Sequence, residues 1–323
     1  MKYPATAKRR PILHKCLICV ALVVCILGIL SAIGLIRPRT FFVGSTPPEH
    51  AKPDRDTSEF SKLLSEQSYQ RYKVSIYGLD RNDFPVILLQ ITRDGKVLHS
   101  QEGYKFYIGH NESAEEYNRF VPIGKDITGK GIPNLVVSEW TGGAHCCSNT
   151  IVFELGQNFQ KLAIIDSGHS DTSHFEKNSG TAGLVFKTYD FIFANWNTCF
   201  ADSPAPKLTL RYCDGEYRIA DDLMRKPAPS KDMLQRLATH MRKKSTWIEE
   251  GPSPPLWSAM LDLIYSGNAK SAWLLFDMAW PKKAEGKDVF LKEFREQLAL
   301  SAYADQITML NDGIPVCGDS GHK

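Results

Sequence analysis

The sequence predicts an α+β protein in three parts: an N-terminal transmembrane helix, an antiparallel β-rich domain (a sandwich or a partial propeller-like stack) and a C-terminal helical bundle. Three observations predict it. Cys16 to Ile36 is an apolar run of 21 residues without a charge. Residues 72–226 break into short β-branched and aromatic runs divided by turn residues. From about Pro229 onward, apolar side chains recur three and four positions apart.

At a helical rise of about 1.5 Å per residue, the first run spans roughly 30 Å, the hydrocarbon thickness of a bilayer. Lys2, Lys8, Arg9, Arg10 and Lys15 precede it, and Arg37 and Arg39 follow. That excess of positive charge makes residues 1–15 a cytoplasmic segment, residues 16–36 a signal anchor, and the remainder exported. Cleavage is the rival reading, with Ala32-Ile33-Gly34 as a small-residue site. The run nevertheless exceeds the usual apolar region of a signal peptide, about 7–15 residues. Leu22-Val23-Val24-Cys25 lacks the small residue that a lipoprotein would place before its cysteine. An uncut anchor is expected.

Charge divides the same way. Residues 1–39 hold 7 of the 39 basic residues and no acidic ones, which leaves 32 basic against 36 acidic residues beyond. The exported part has no basic stripe, so nucleic-acid binding is not expected. Residues 37–71 read as a polar, proline-bearing linker or stalk. Within it, Phe60, Leu63 and Leu64 predict a short helix over 57–69.

In the β-rich domain, NLVVSEW, NTIVFEL, GLVFKT and KLTLRYC are typical of the runs. Asp94-Gly95 and Asp214-Gly215 fall between such runs, where a two-residue hairpin needs positive φ. Long crossover segments are missing from the pattern, so the pairing is antiparallel. In the helical domain, residues 227–312, Ser253-Pro254-Pro255 opens a helix with Leu256, Met260 and Ile264 on one face, and Gly267 ends it. Phe290, Phe294 and Leu298 repeat the spacing. Residues 313–323 form a tail.

Asp126 to Cys147, DITGKGIPNLVVSEWTGGAHCC, resembles the FG-GAP or VCBS-type repeat, in which an acidic, glycine-bearing loop runs into an apolar strand. It is similar above all to a group of bacterial exported proteins that follow this strand with a GGAHCC turn. FANWNTCFADSPAPKLTLRYC and LWSAMLDLIYSGNAKSAW also resemble that group, so the likeness covers most of residues 120–310. It implies a β-rich extracytoplasmic domain with a helical C-terminal part, and no particular activity. Calcium-binding versions of the loop use alternating oxygen ligands. Here those positions are Asp126, Thr128, Lys130 and Asn134, and a lysine ammonium offers no lone pair. The competing reading is a metal-free turn in which Asp126 accepts backbone N–H bonds.

Past the membrane segment the cysteines are Cys146, Cys147, Cys199, Cys213 and Cys317. In an oxidising compartment four of them are expected to form two bridges, with one left over. Cys199 and Cys213 flank a bend and could face each other. Neighbouring Cys146 and Cys147 point to opposite faces of a strand and would reach different partners. Zinc held by His145, Cys146 and Cys147 with His169 or His174 is the metal alternative, although paired cysteines in zinc sites are usually separated by two to four residues. A thiolate at Cys146 or Cys147 with His145 or His169 as base and Asp171 orienting it is the enzymatic alternative. Ser167-Gly168-His169 matches no nucleophile elbow.

The expectation is therefore a non-enzymatic binding or scaffold module without a cofactor, stapled by disulfides. It would sit at the bacterial inner membrane by a single pass, with the bulk of the chain periplasmic and an envelope protein or a glycan as partner. The alternative is a thiol or zinc protein working through His145, Cys146 and Cys147.

Overall fold

The computed structural model describes residues 62–78, 86–109, 120–143, 147–169, 172–243 and 251–317. Twelve strands lie among them: β1 (Lys62–Tyr69), β2 (Tyr72–Gly78), β3 (Ile87–Arg93), β4 (Lys96–Gly103), β5 (Lys105–Ile108) and β6 (Asn134–Trp140), then β7 (Ser148–Leu155), β8 (Phe159–Asp166), β9 (His174–Lys177), β10 (Leu184–Tyr189), β11 (Lys207–Cys213) and β12 (Glu216–Ile219). They form three four-stranded meanders, β1 to β4, β5 to β8 and β9 to β12, each antiparallel throughout. The Asp94-Gly95 and Asp214-Gly215 turns carry positive φ at both residues, the geometry that a tight hairpin demands.

The second sheet is the middle layer. Leu135, Val137, Ile151 and Phe153 on one of its faces join Val74, Ile76, Leu89 and Ile91 of the first sheet in one core. Val136, Val152 and Ile165 on its other face join Phe175, Phe186, Leu208 and Leu210 of the third sheet, together with the helices. This explains why NLVVSEW reads as a continuous apolar run: a strand covered on both faces has no polar side to alternate with.

The helices are α1 (Asp221–Met224), α2 (Lys231–Arg242), α3 (Pro254–Ile264), α4 (Ala269–Ala279), α5 (Lys287–Ala299) and α6 (Ala304–Asp312). Ser230 caps α2 by accepting from the Met233 N–H at 3.2 Å. Ser253 stands at the N-cap of α3 without a side-chain bond, and Pro254 opens the helix. Leu256, Trp257, Met260, Leu261, Ile264 and Tyr265 are all buried. Burying each large apolar side chain stabilises the fold by about 1.5–3 kcal/mol. Between the third sheet and the helices lies an aromatic joint. Trp196 meets Trp257 at 5.5 Å and Phe290 at 5.3 Å, and Phe193 meets Phe294 at 5.0 Å. Asn195 and Asn197 on either side of Trp196 adopt left-handed backbone, which asparagine tolerates better than most residues.

Three expectations need correction. No helix among the described residues is long and apolar enough to cross a membrane, so the expected architecture with a transmembrane helix is not the one observed. The Cys16–Ile36 run itself lies outside the described residues. Of the two expected β arrangements, a sandwich or a partial propeller-like stack, the two-sheet sandwich is not the one observed: three separate four-stranded sheets lie in a stack, the middle one with a core on each face. The helices pack on one another and share one core with the third sheet. Finally, Lys62–Tyr69 is an edge strand where a helix was expected. Its Leu63 and Leu64 are about half exposed, so their spacing reported no buried face.

Candidate functional site

Three places gather the polar and reactive side chains. The first is the end of the stack that carries the cysteine-bearing turn. After Trp140, Gly142 and Gly143 adopt positive φ, and Thr141 closes the turn onto Cys147. The Thr141 N–H donates to the Cys147 carbonyl at 3.0 Å, and the Cys147 N–H donates to the Thr141 hydroxyl at 3.2 Å. Ala144, His145 and Cys146 lie outside the described residues, as does Asp171. Cys147 is disulfide-bonded.

Backbone pairing brings the next loop alongside. The Ser148 N–H donates to the Gly168 carbonyl, and the Ser167 N–H donates back to Ser148, both at 2.8 Å. His169 then packs its ring on Phe200 at 4.5 Å and on Phe191 at 5.2 Å. His174 sits instead on β9, in the third sheet, so the two histidines proposed as zinc ligands lead to different environments. No group of three or more His, Cys, Asp or Glu that could hold a metal occurs among the described residues. Cys213 bridges Cys317 across 104 positions, with Cα atoms 5.9 Å apart. Cys199 is an exposed free thiol, 3.5 Å from Asp202, and does not pair with Cys213. Cys199 stands at the start of the bend, before the 3-10 turn Phe200–Asp202, whereas Cys213 ends β11, the strand that leads away from it.

The second place is the acidic turn at the opposite end of β6. Asp126 accepts from the Gly129 N–H at 2.8 Å, the Gly131 N–H at 2.7 Å and the Thr128 hydroxyl at 3.2 Å. Asn134 accepts from the Ile127 N–H at 2.9 Å. The oxygens of Asp126 and Asn134 that would face calcium are thus used to hold the turn. Lys130 reaches the buried Glu154 at 2.8 Å and lies 5.6 Å above the Tyr212 ring. Its pKa is raised, chiefly by the Glu154 hydrogen bond, with the charges of Glu154 and Asp126 adding to it. The turn carries its own cation. Gly183 receives this turn at close range: a Cβ there would lie 2.3 Å from the Ile127 carbonyl oxygen.

The third place is a cleft of about 400 Å³ between residues 120–125 and β9. Phe120, Val121 and Leu184 supply apolar lining, and Lys125, His174 and Glu176 supply polar groups. His174 Nδ1 lies 2.8 Å from the Thr172 carbonyl, which can only accept, so Nδ1 bears a proton. Nε2 is left facing Glu176 at 3.4 Å. Lys187, opposite His174 in register, approaches the other Glu176 oxygen at 3.4 Å and donates to Thr209 at 3.0 Å. Of these residues the sequence reading singled out only His174. The rest come from segments some 50 positions apart, and no local spacing announces them.

Comparison with known families, curated proteins and solved structures returns no match. Cys147 in a disulfide supplies no thiolate, Asp126 is occupied by its own turn, and the cleft is the place where apolar and charged groups converge on open space.

Proposed function

We propose that this is an exported, non-enzymatic binding module, working in the periplasm on an envelope protein or a glycan. The observation that carries the proposal is the Cys213–Cys317 bridge, which fastens the end of the helical segment to the third sheet. Such bridges persist in oxidising compartments. Kinship with FG-GAP-type repeats is part of the proposal, supported by the acidic glycine turn that leads into β6. Exposed aromatic rings support a binding role: Tyr104 and Trp140 are 48% and 42% exposed and meet edge to face at 6.4 Å. Aromatic faces of this kind are enriched where proteins meet partners. The rival thiol or zinc reading through His145, Cys146 and Cys147 is disfavoured, because Cys147 is already oxidised.

Three measurements test the proposal. A fused reporter active only outside the cytoplasm should be active, and non-reduced mass mapping should recover a Cys213–Cys317 peptide pair. An inactive reporter with every thiol titratable refutes export. A photo-crosslinker at the Trp140 position in living cells should give a discrete adduct; none forming would count against the binding role.

A further inference from the structure

The geometry points to the cleft between residues 120–125 and β9 as a binding site for a small organic carboxylate with an apolar body. This goes beyond the binding role proposed above, which is argued from a different surface. Three observations converge.

The apolar wall is built in place. The Phe120 ring is 39% exposed, yet its position is fixed against Gly109, where a Cβ would lie 2.3 Å from the ring. Gly109 has φ of +86°, donates to the Val136 carbonyl and accepts from the Val121 N–H, both at 2.8 Å. An exposed ring held against hydrogen-bonded backbone just past a strand is preorganised to receive an apolar group, which lowers the ordering cost of binding.

The uncompensated charge of the cleft is positive. Glu176 already faces Lys187 and His174, each at 3.4 Å. Lys177 ties its ammonium to the adjoining turn, donating to the Thr181 carbonyl at 2.7 Å, and keeps its positive charge there. Lys125 keeps its backbone in the turn through bonds to Pro122 and Asn134, while its exposed ammonium meets no hydrogen-bond or ion-pair partner among the described residues. A cation with its donors unengaged, beside an apolar wall, complements one carboxylate on an apolar body.

The cavity is of suitable size. At about 400 Å³ it falls at the lower end of the range for small-molecule sites, roughly 300–1,000 Å³. A single ring with a short acidic arm fits that space.

Calorimetric titration of the full-length protein with phenylacetate, and with phenylacetamide as the neutral analogue of like shape, tests the site. Phenylacetate should bind saturably in the millimolar range. Phenylacetamide should bind about tenfold more weakly, the lower end of the loss expected for one hydrogen bond to a charged group. Lys125→Met should weaken phenylacetate to a similar degree and leave phenylacetamide unchanged, and Phe120→Ala should weaken both. Lys231→Met, on helix α2, should change neither. Equal binding of acid and amide, wild-type affinity in Lys125→Met, or no saturable binding of either probe overturns the assignment. None of these outcomes bears on the Trp140 crosslink or the disulfide map, so the broader binding role stands or falls separately.

Discussion

The Tyr265 hydroxyl donates to the Asp190 carboxylate at 2.7 Å, joining the C-terminal end of α3 to the end of β10 across 75 positions of sequence. Ser301, just beyond α5, donates to the same oxygen at 2.5 Å, and the Ile192 N–H donates to the other at 2.9 Å. The carboxylate is buried. Burial foremost, followed by the charge and hydrogen bond of Asp190, raises the Tyr265 pKa, so the hydroxyl stays the donor. This polar pin sits beside the aromatic joint and fixes the angle at which the helices meet the third sheet.

Removing one member of the pin should be costly, because hydrogen bonds to a charged group contribute about 1.5–3 kcal/mol. Tyr265→Phe should lower the unfolding free energy by about 2 kcal/mol. Asp190→Ala, which strands three donors, should cost more than Tyr265→Phe and Ser301→Ala each cost alone. Denaturant melts of the single and double variants check this. Additivity of the Tyr265 and Asp190 effects would show that the two groups do not interact.

The Cys213–Cys317 bridge closes a loop containing all six helices of the described residues. For a loop of about 100 residues, restricting the unfolded chain stabilises the fold by at most about 4.7 kcal/mol, and bridges often deliver less. Replacing both cysteines by serine should therefore reduce stability by about 2–4 kcal/mol, read as the difference between denaturant melts of the two proteins. Cys199→Ser should leave stability within about 0.5 kcal/mol, as an exposed position outside any bridge should.

Much of the fold is legible in the chain, for reasons particular to each element. The Asp-Gly pairs mark their hairpins because only a few residues accept positive φ twice in succession. Leu256, Met260 and Ile264 mark α3 because its face is buried as periodically as the helix turns. The first hairpin escapes notice: its turn is Gln70-Arg71, with Gln70 at φ 51° and no glycine to announce it. Strand β1 lies at a sheet edge and is mostly exposed, so its side chains keep no period of two. The candidate cleft was legible only at His174. Lys125, Phe120 and Glu176 are ordinary residues locally, and their convergence is a product of how β9 meets the loop before β6. The bridge partner of Cys213 escaped for the same reason, since the tail returns to β12 through tertiary packing: Arg218 donates to the Val316 carbonyl at 3.2 Å.

The Lys130–Glu154 contact should make the acidic turn indifferent to calcium. Thermal melts in calcium and in a chelator should coincide, because the oxygens of Asp126 are already taken and an ammonium stands beside them. Lys130→Met leaves Glu154 with Gln160, at 3.1 Å, as its remaining hydrogen-bond partner. Removing a partner from a buried charge is destabilising. With Lys130 itself part-exposed, the expected loss is about 1–2 kcal/mol. A calcium-induced rise in the melting temperature of the unaltered protein would contradict this account of the turn.

Stability should fall as pH drops below neutrality, and His99 is the cause to examine first. Its ring packs on Phe153 at 4.9 Å, between the first and second sheets. Burial foremost, and then the nearby Lys161 charge, lowers its pKa below the ordinary 6.5. A histidine depressed in the folded state binds its proton more readily when unfolded. Its contribution is therefore fully present above about pH 6.5 and is lost as pH falls from there toward the lower folded value. His99→Phe keeps a ring against Phe153 and removes the titration, so the unfolding free energy of this variant should fall less steeply between pH 7 and pH 5 (about the range in which histidine titrates). Equal slopes for the two proteins over that range would assign the acid sensitivity to other groups.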